Sequence, residues 1–167
     1  MKLTFSIATA DDASEIVDLR NAVAEHLTKK FGIGHWSSMT SERGVQLAIT
    51  NTSKILMARK GRKLLSVLTL AQKKPWAIDV AYFTPVKTRA LYLLSMAVKP
   101  VEQKSGLGRQ MIEQAKKLAG EWPAEAIRLD AYNAEAGAGD FYRKCGFIER
   151  GRVVYRHVPL IYFEMIL

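Results

Sequence analysis

The chain has 167 residues, 49% of them hydrophobic, which suits one globular domain with a sizeable core and leaves too little chain for a second. Its 25 lysines and arginines against 16 acidic residues give a formal charge of +9, which calls for an anionic partner: nucleic acid, a membrane surface or a phosphorylated small molecule. The lone cysteine, Cys145, excludes an internal disulfide, and His26, His35 and His157 are too scattered for a metal-ligand spacing, so no metal is expected.

The N-terminal MKLTFSIATADD is too short and interrupted for a signal peptide, and no window is apolar over a membrane span. A cytoplasmic location without a membrane partner is the expectation. Leu3, Phe5 and Ile7 alternate with Thr4 and Ser6, the period of a strand. Asp12 and Glu15 resemble a capping box, and Ile16, Leu19, Val23 and Leu27 continue as the apolar stripe of a first helix. FGIGHWSS, from Phe31 to Ser38, reads as an aromatic loop in which His35 and Trp36 either touch a substrate or pin the loop. Thr40 or Ser41 can then cap a second helix carrying Val45, Leu47, Ala48 and Ile49.

Ile55 to Arg59 and Leu64 to Leu70 are apolar runs joined by Lys60-Gly61-Arg62-Lys63, which predicts a hairpin. Trp76 to Val80 reads as a short strand or an extended segment, followed by the aromatic loop Tyr82-Phe83-Thr84-Pro85. Asp79 is either a catalytic carboxylate near the next strand or a solvated loop residue.

Leu91 to Val98 is an apolar run long enough for a central strand covered on both faces, and Pro100 ends it. After a loop, Leu107, Met111, Ala115, Leu118 and Trp122 recur at steps of three and four on one helical face. Between them lies Gln103-Lys104-Ser105-Gly106-Leu107-Gly108-Arg109. Glycines at a helix start let unpaired N–H groups converge where the helix dipole favours negative charge, so this loop is either an anion cradle or a flexible helix entry.

Ala126 to Ala131 predicts the next strand, and strand, helix and strand form a right-handed unit with parallel strands. Asp140 to Cys145 is one or two helical turns stopped by Gly146. Val153 to Tyr155 and Pro159 to Leu167 are expected as an antiparallel pair joined through Arg156-His157-Val158. Asp130, at the end of a strand, would suit a dinucleotide fold, but seven residues, Lys99 to Ser105, precede Gly106, and Met111 occupies the third glycine position. No GK[ST] follows for a Walker A loop. Neither a helix-turn-helix nor an RNP pattern is present, which disfavours a nucleic-acid partner.

Met96-Ala97-Val98, Gln103-x-x-Gly106-x-Gly108 and the later Phe141-Tyr142-x-Lys144-x-Gly146-Phe147 together resemble the hallmark segments of the GNAT-type N-acetyltransferases over essentially the whole chain. The resemblance implies a single-domain α/β fold over residues 1–167. Its mixed central sheet would have about six to seven strands, flanked by about four helices, with splayed central strands. It also implies acetyl-CoA as acyl donor, an amine acceptor and direct attack in a ternary complex. Met96, Ala97 and Val98 would offer a backbone edge to the pantetheine arm, with an N–H near Ala97 or Val98 polarising the thioester. Gln103, Lys104, Ser105, Gly106, Leu107, Gly108 and Arg109 would wrap the pyrophosphate.

Tyr142 would protonate the departing thiolate, and Asn133 would meet the cofactor, although a longer segment than in many relatives separates it from Tyr142. The central strand offers no carboxylate as base, leaving Asp79, a water relay or His35. Cys145 reads as a small buried residue rather than a nucleophile. The missing base also keeps open a non-catalytic acyl-CoA sensor. By the same resemblance, Phe31 to Ser38, Trp76 to Phe83 and Arg156 to Pro159 would shape the acceptor site. Their aromatic and cationic character points to a small amine bearing a carboxylate or a ring, and the terminal strands could pair two copies into a homodimer.

Overall fold

The computed structural model describes residues 1–167. Seven strands, β1 (Leu3–Ile7), β2 (Ser53–Lys60), β3 (Lys63–Ala71), β4 (Ala90–Val98), β5 (Ala126–Tyr132), β6 (Ile148–Tyr155) and β7 (Val158–Ile166), form one sheet in the order β1-β2-β3-β4-β5-β7-β6. Four α-helices accompany it: α1 (Ala13–Phe31), α2 (Glu42–Leu47), α3 (Leu107–Glu121) and α4 (Gly139–Lys144). Only β4 and β5 run parallel, joined through α3 as a crossover unit requires. The mixed α/β architecture expected from the sequence is therefore present, and no helix is long and apolar enough to cross a membrane.

Alternation along the strands assigns the two sheet faces. On one face, α3 buries Leu107, Met111, Ile112 and Ala115 against Leu91, Leu93, Ile127, Leu129 and Phe163. On the other, α1 buries Ile16 and Leu19 against Ile55, Met57, Val67 and Ala97. Each such side chain contributes about 1.5–3 kcal/mol when fully buried, so the helical stripes seen in the sequence are what hold the layers together.

Several local expectations need correction. The box at the first helix is Thr9 with Asp12, the Thr9 N–H donating to Asp12 Oδ2 at 2.8 Å, because a 3-10 turn at Ala10–Asp12 precedes α1. Glu15 instead pairs with Arg59 of β2 at 2.6 Å. Of the two caps expected for α2, Ser41 is the one used, accepting from the Gly44 N–H at 3.1 Å. Trp76 to Val80 forms no strand: the Tyr162 hydroxyl donates to the Ala77 carbonyl and accepts from the Asp79 N–H, holding the segment as a turn that leads into a 3-10 turn at Val80–Tyr82. β6 begins at Ile148, five residues earlier than its apolar end at Val153 predicts, because alternate residues of this edge strand, Arg150 and Arg152 among them, are in solvent.

The central strands separate midway. β4 and β5 pair only from Ala90 opposite Ala126 to Tyr92 opposite Arg128. Beyond that point β4 stays with β3 as far as Val98, and β5 with β7 as far as Tyr132. Between the pairs Thr69–Leu94 and Val67–Ala97, β4 has two residues, Ser95 and Met96, where β3 has only Leu68, so β4 is bulged, with Ser95 at a φ of 49°. The bulge turns the end of β4 away from β5.

Below the separation, the paired part of β5 is locked by a buried ion pair. Arg128 Nε donates to Glu164 Oε2 at 3.0 Å, with the two side chains 5% and 2% exposed. The guanidinium also donates to the Tyr92 hydroxyl and the Thr84 carbonyl. Removing one partner leaves a buried charge uncompensated, so Glu164→Leu should destabilise by about 3–5 kcal/mol and lower Tm by on the order of 10 °C. The double variant Arg128→Met/Glu164→Leu should recover most of that loss in thermal denaturation. A double variant no more stable than the single one would contradict the assignment.

Candidate active site

The separation of β4 from β5 opens two adjoining clefts. The first, of about 650 Å³, is lined by Met96, Ala97 and Val98 at the end of β4, by Gln103, Lys104, Gly106, Gly108 and Arg109 from the following loop and α3, and by Phe141, Tyr142, Lys144 and Cys145 from α4 and its end. The second, of about 630 Å³, lies along Leu94, Asp130, Tyr132 and Leu160 of the sheet and is completed by His35, Ser38, Ala77, Tyr155 and Val158. Met96 and Tyr142 line both clefts, so the two meet at these side chains.

The loop owes its shape to left-handed residues, Lys104 at a φ of 62° and Gly106 at 88°. Gly106 is the N-cap of α3 and no side chain caps that helix. The first N–H with an intrahelical acceptor is that of Gln110, donating to the Gly106 carbonyl at 3.2 Å, which leaves those of Gly108 and Arg109 for another acceptor. Gly108 has no room for a side chain, since a Cβ would lie 2.9 Å from Cε2 of Phe141. Lys104, Arg109 and Lys144 give the cleft three cations, and Arg109 ties α3 to α4 by donating to the Lys144 carbonyl at 3.0 Å.

Most residues singled out in the sequence converge here, with three exceptions. The Ser105 hydroxyl turns into its own loop, donating to the Glu102 carbonyl at 2.5 Å and accepting weakly from the Leu107 N–H. The Leu107 side chain is 4% exposed in the main core, so only its backbone reaches the loop. Asn133 is exposed beyond the end of β5 and lines neither cleft. The Gln103 amide donates to the Val98 carbonyl at 3.1 Å and so braces the end of β4.

Tyr142 is buried among Phe141, Phe147 and Phe163, and its hydroxyl faces Met96 Sδ at 3.9 Å. Burial, helped by Cys145 and Asp130, pushes the phenol pKa far above its usual value, so Tyr142 stays a neutral proton donor at any working pH. Burial likewise raises the Cys145 thiol, despite Arg109 nearby, and keeps it from being a thiolate.

Among the carboxylates considered for the base, Asp79 lies outside both clefts and caps the 3-10 turn, accepting from the Ala81 N–H at 2.9 Å. The acid in the second cleft is Asp130, whose pKa burial raises and which no lysine or arginine pairs. Its charge contributes to raising Tyr132, Tyr142 and Tyr162, which sets it at the centre of the phenols. Its signal in the sequence is an acid interrupting the apolar strand IRLDAY, a position that also suits a dinucleotide fold. His35 is also present, stacked on Tyr132 with ring centres 6.4 Å apart, while the Tyr132 hydroxyl donates to the His35 carbonyl. No group of three or more His, Cys, Asp or Glu residues is placed to hold a metal.

The profile of the family described as Acetyltransferase (GNAT) family matches residues 17–147. No curated protein matches the chain by sequence. Among solved structures, the ribosomal-protein-S18-alanine N-acetyltransferase from Escherichia coli superposes with a TM-score of 0.74 at 15% identity, covering 99% of this chain and 94% of that one. The PaiA N-acetyltransferase from Thermoplasma acidophilum, in complex with coenzyme A, gives 0.73 at 14% identity over 100% of both chains. YncA, a putative acetyltransferase from Salmonella typhimurium with its cofactor acetyl-CoA, gives 0.69 at 14% identity, over 99% of this chain and 94% of that one.

An ionisable group desolvated by folding has a definite stability signature. Below the usual carboxylate pKa, Asp130 is neutral in both states and burial carries no ionic penalty. As pH rises from there through the raised folded value, the folded state holds its proton longer than the unfolded one, so stability falls and then levels off. Asp130→Asn should therefore raise Tm at pH 7–8 relative to the parent and lose that advantage near pH 3, which thermal scans across pH will test.

Proposed function

The chain belongs to the GNAT acetyltransferase family, and from that membership we propose that it moves an acetyl group from acetyl-CoA to an amine by direct attack, with both substrates bound at once. The observation that carries this reading is the meeting of two clefts at Tyr142, with a cationic loop on one side and an unpaired carboxylate on the other.

The first cleft fits acetyl-CoA in its chemistry. Lys104, Arg109, Lys144 and the free N–H groups at the start of α3 suit the phosphates, and apolar Val23, Leu27 and Phe141 suit the pantetheine arm. From Leu93 to Val98, β4 has no β5 neighbour, so its backbone is available to pair with an extended amide chain. Bound there, acetyl-CoA supplies an activated acetyl thioester. An N–H of Ala97 or Val98 polarises its carbonyl, and the buried setting strengthens that hydrogen bond.

Asp130 takes the proton that the acceptor ammonium must lose before its nitrogen can attack, directly or through water, and its raised pKa makes it a better base than an ordinary aspartate. Tyr142 gives its phenolic proton to the departing sulfur. The same burial that makes the phenol a weak acid also makes an expelled thiolate basic, so the two pKa values rise together and the transfer stays feasible. With an acid at the junction of the clefts and a base in the second of them, turnover is favoured over a role as an acyl-CoA sensor.

Tyr142→Phe should lower kcat by about 10²-fold or more while leaving the Kd for acetyl-CoA unchanged, as read by release of free CoA thiol and by calorimetry. Equal loss of binding and rate would return Tyr142 to a packing role. For the parent, kcat/KM should fall as pH drops through a value above the usual carboxylate range, because the base must be ionised. In Asp130→Asn the rate should fall by about 10²-fold and that acidic limb should disappear. An unchanged pH profile in this variant would assign the base elsewhere.

A further inference from the structure

The second cleft restricts the acceptor. Resting on the donor and acceptor assignment above, we infer that the acceptor is a monoamine on an apolar or aromatic body, bearing no carboxylate and no second ammonium. In a chain with 25 lysines and arginines and a formal charge of +9, none lines this cleft, whereas the donor cleft of similar size holds three. Asp130 is its single carboxylate.

Those two facts fix the charge pattern that the cleft accepts. One ammonium is matched by Asp130 and by the electron-rich faces of nearby aromatic rings such as Tyr132. A carboxylate on the acceptor would lose its water beside Asp130 with no lysine or arginine to replace it. A second ammonium would find no second anion. Most of the residues lining the cleft are hydrophobic, Leu27, Leu94, Val158 and Leu160 among them, so the body of the acceptor is recognised mainly by burial.

The cationic loops that suggested a carboxylate-bearing amine do not deliver their charges here. Arg156 lies 5.2 Å over the Tyr155 ring without joining the lining. The segments named in the sequence do shape the cleft, but through His35, Ser38, Ala77 and Val158.

The test uses matched amines, with acetyl-CoA binding measured first by calorimetry. At saturating acetyl-CoA, kcat/KM from thiol release should be at least ~100-fold higher for 2-phenylethylamine than for phenylalanine, and for butylamine than for putrescine, as expected when a buried charge goes unpaired. Calorimetric affinities for the CoA-saturated protein should rank the same way. Phenylalanine, putrescine or a peptide N-terminus matching or exceeding the apolar amines would overturn the inference while leaving the transferase reading intact. So would bound acetyl-CoA with neither turnover nor binding of the apolar amines. No acetyl-CoA binding at all would remove the underlying reading and the inference with it. Tyr155→Arg, placing a cation in the lining, should shift the ratio at least ~10-fold toward phenylalanine; an unchanged ratio in a variant with the parent Tm would count against the charge argument.

Discussion

The divergence of β4 from β5 is the constraint on which the site depends. Two central strands are joined by three residue pairs and then part, although both continue. Separated strands in the middle of a sheet expose inner backbone edges, and such groups are costly to bury without partners. The arrangement survives because each strand keeps its outer neighbour, β3 for β4 and β7 for β5, to its end. The left-handed Ser95 adds about 1–3 kcal/mol of local strain. The gap is thus held open by packing on either side, and the free backbone edges are available to a ligand.

The two sides of the gap differ in electrostatics. The first cleft combines the start of α3, two left-handed loop residues and three cations, so fixed dipoles and charge both make it favourable to an anion. The second cleft has no lysine or arginine, one acid and several rings. Tyr142 stands between them. Desolvation makes its phenol a weaker acid and Asp130 a stronger base, in the directions needed to keep the first protonated and to let the second accept a proton.

The sequence disclosed what depends on local periodicity. The helical stripe from Leu107 to Leu118, the alternating Leu3, Phe5 and Ile7, and the GxG loop all became elements with nearly the expected bounds. The FYxKxGF segment brought Tyr142 to the loop, since its spacing follows from the helical turn of α4 packing against the glycine at 108. Less legible were features set by partners distant in the chain. Trp76 to Val80 is shaped by Tyr162, the role of Glu15 by Arg59, and the exposure of Asn133 by how β5 ends against Pro159. Asp130 was visible as an acid in an apolar strand, but only the parting of β4 makes the space beside it a cleft.

Asp130 and Arg128 together show why that acid stands alone. Both lie on one face of β5, two residues apart, so an ion pair between them would be the simplest way to neutralise each. Arg128 lies where β4 still covers β5, and there its guanidinium is taken up by Glu164, by the Tyr92 hydroxyl and by the Thr84 carbonyl. Its charge is thus matched by Glu164 rather than by Asp130. One step beyond the last β4–β5 pair, the same face loses its cover and the next charge faces a cleft with no cation in reach. A fold that neutralises one buried charge this fully has the means to neutralise another. Leaving Asp130 desolvated and unpaired costs stability, a cost that the amine proposed above would offset by supplying the missing positive charge.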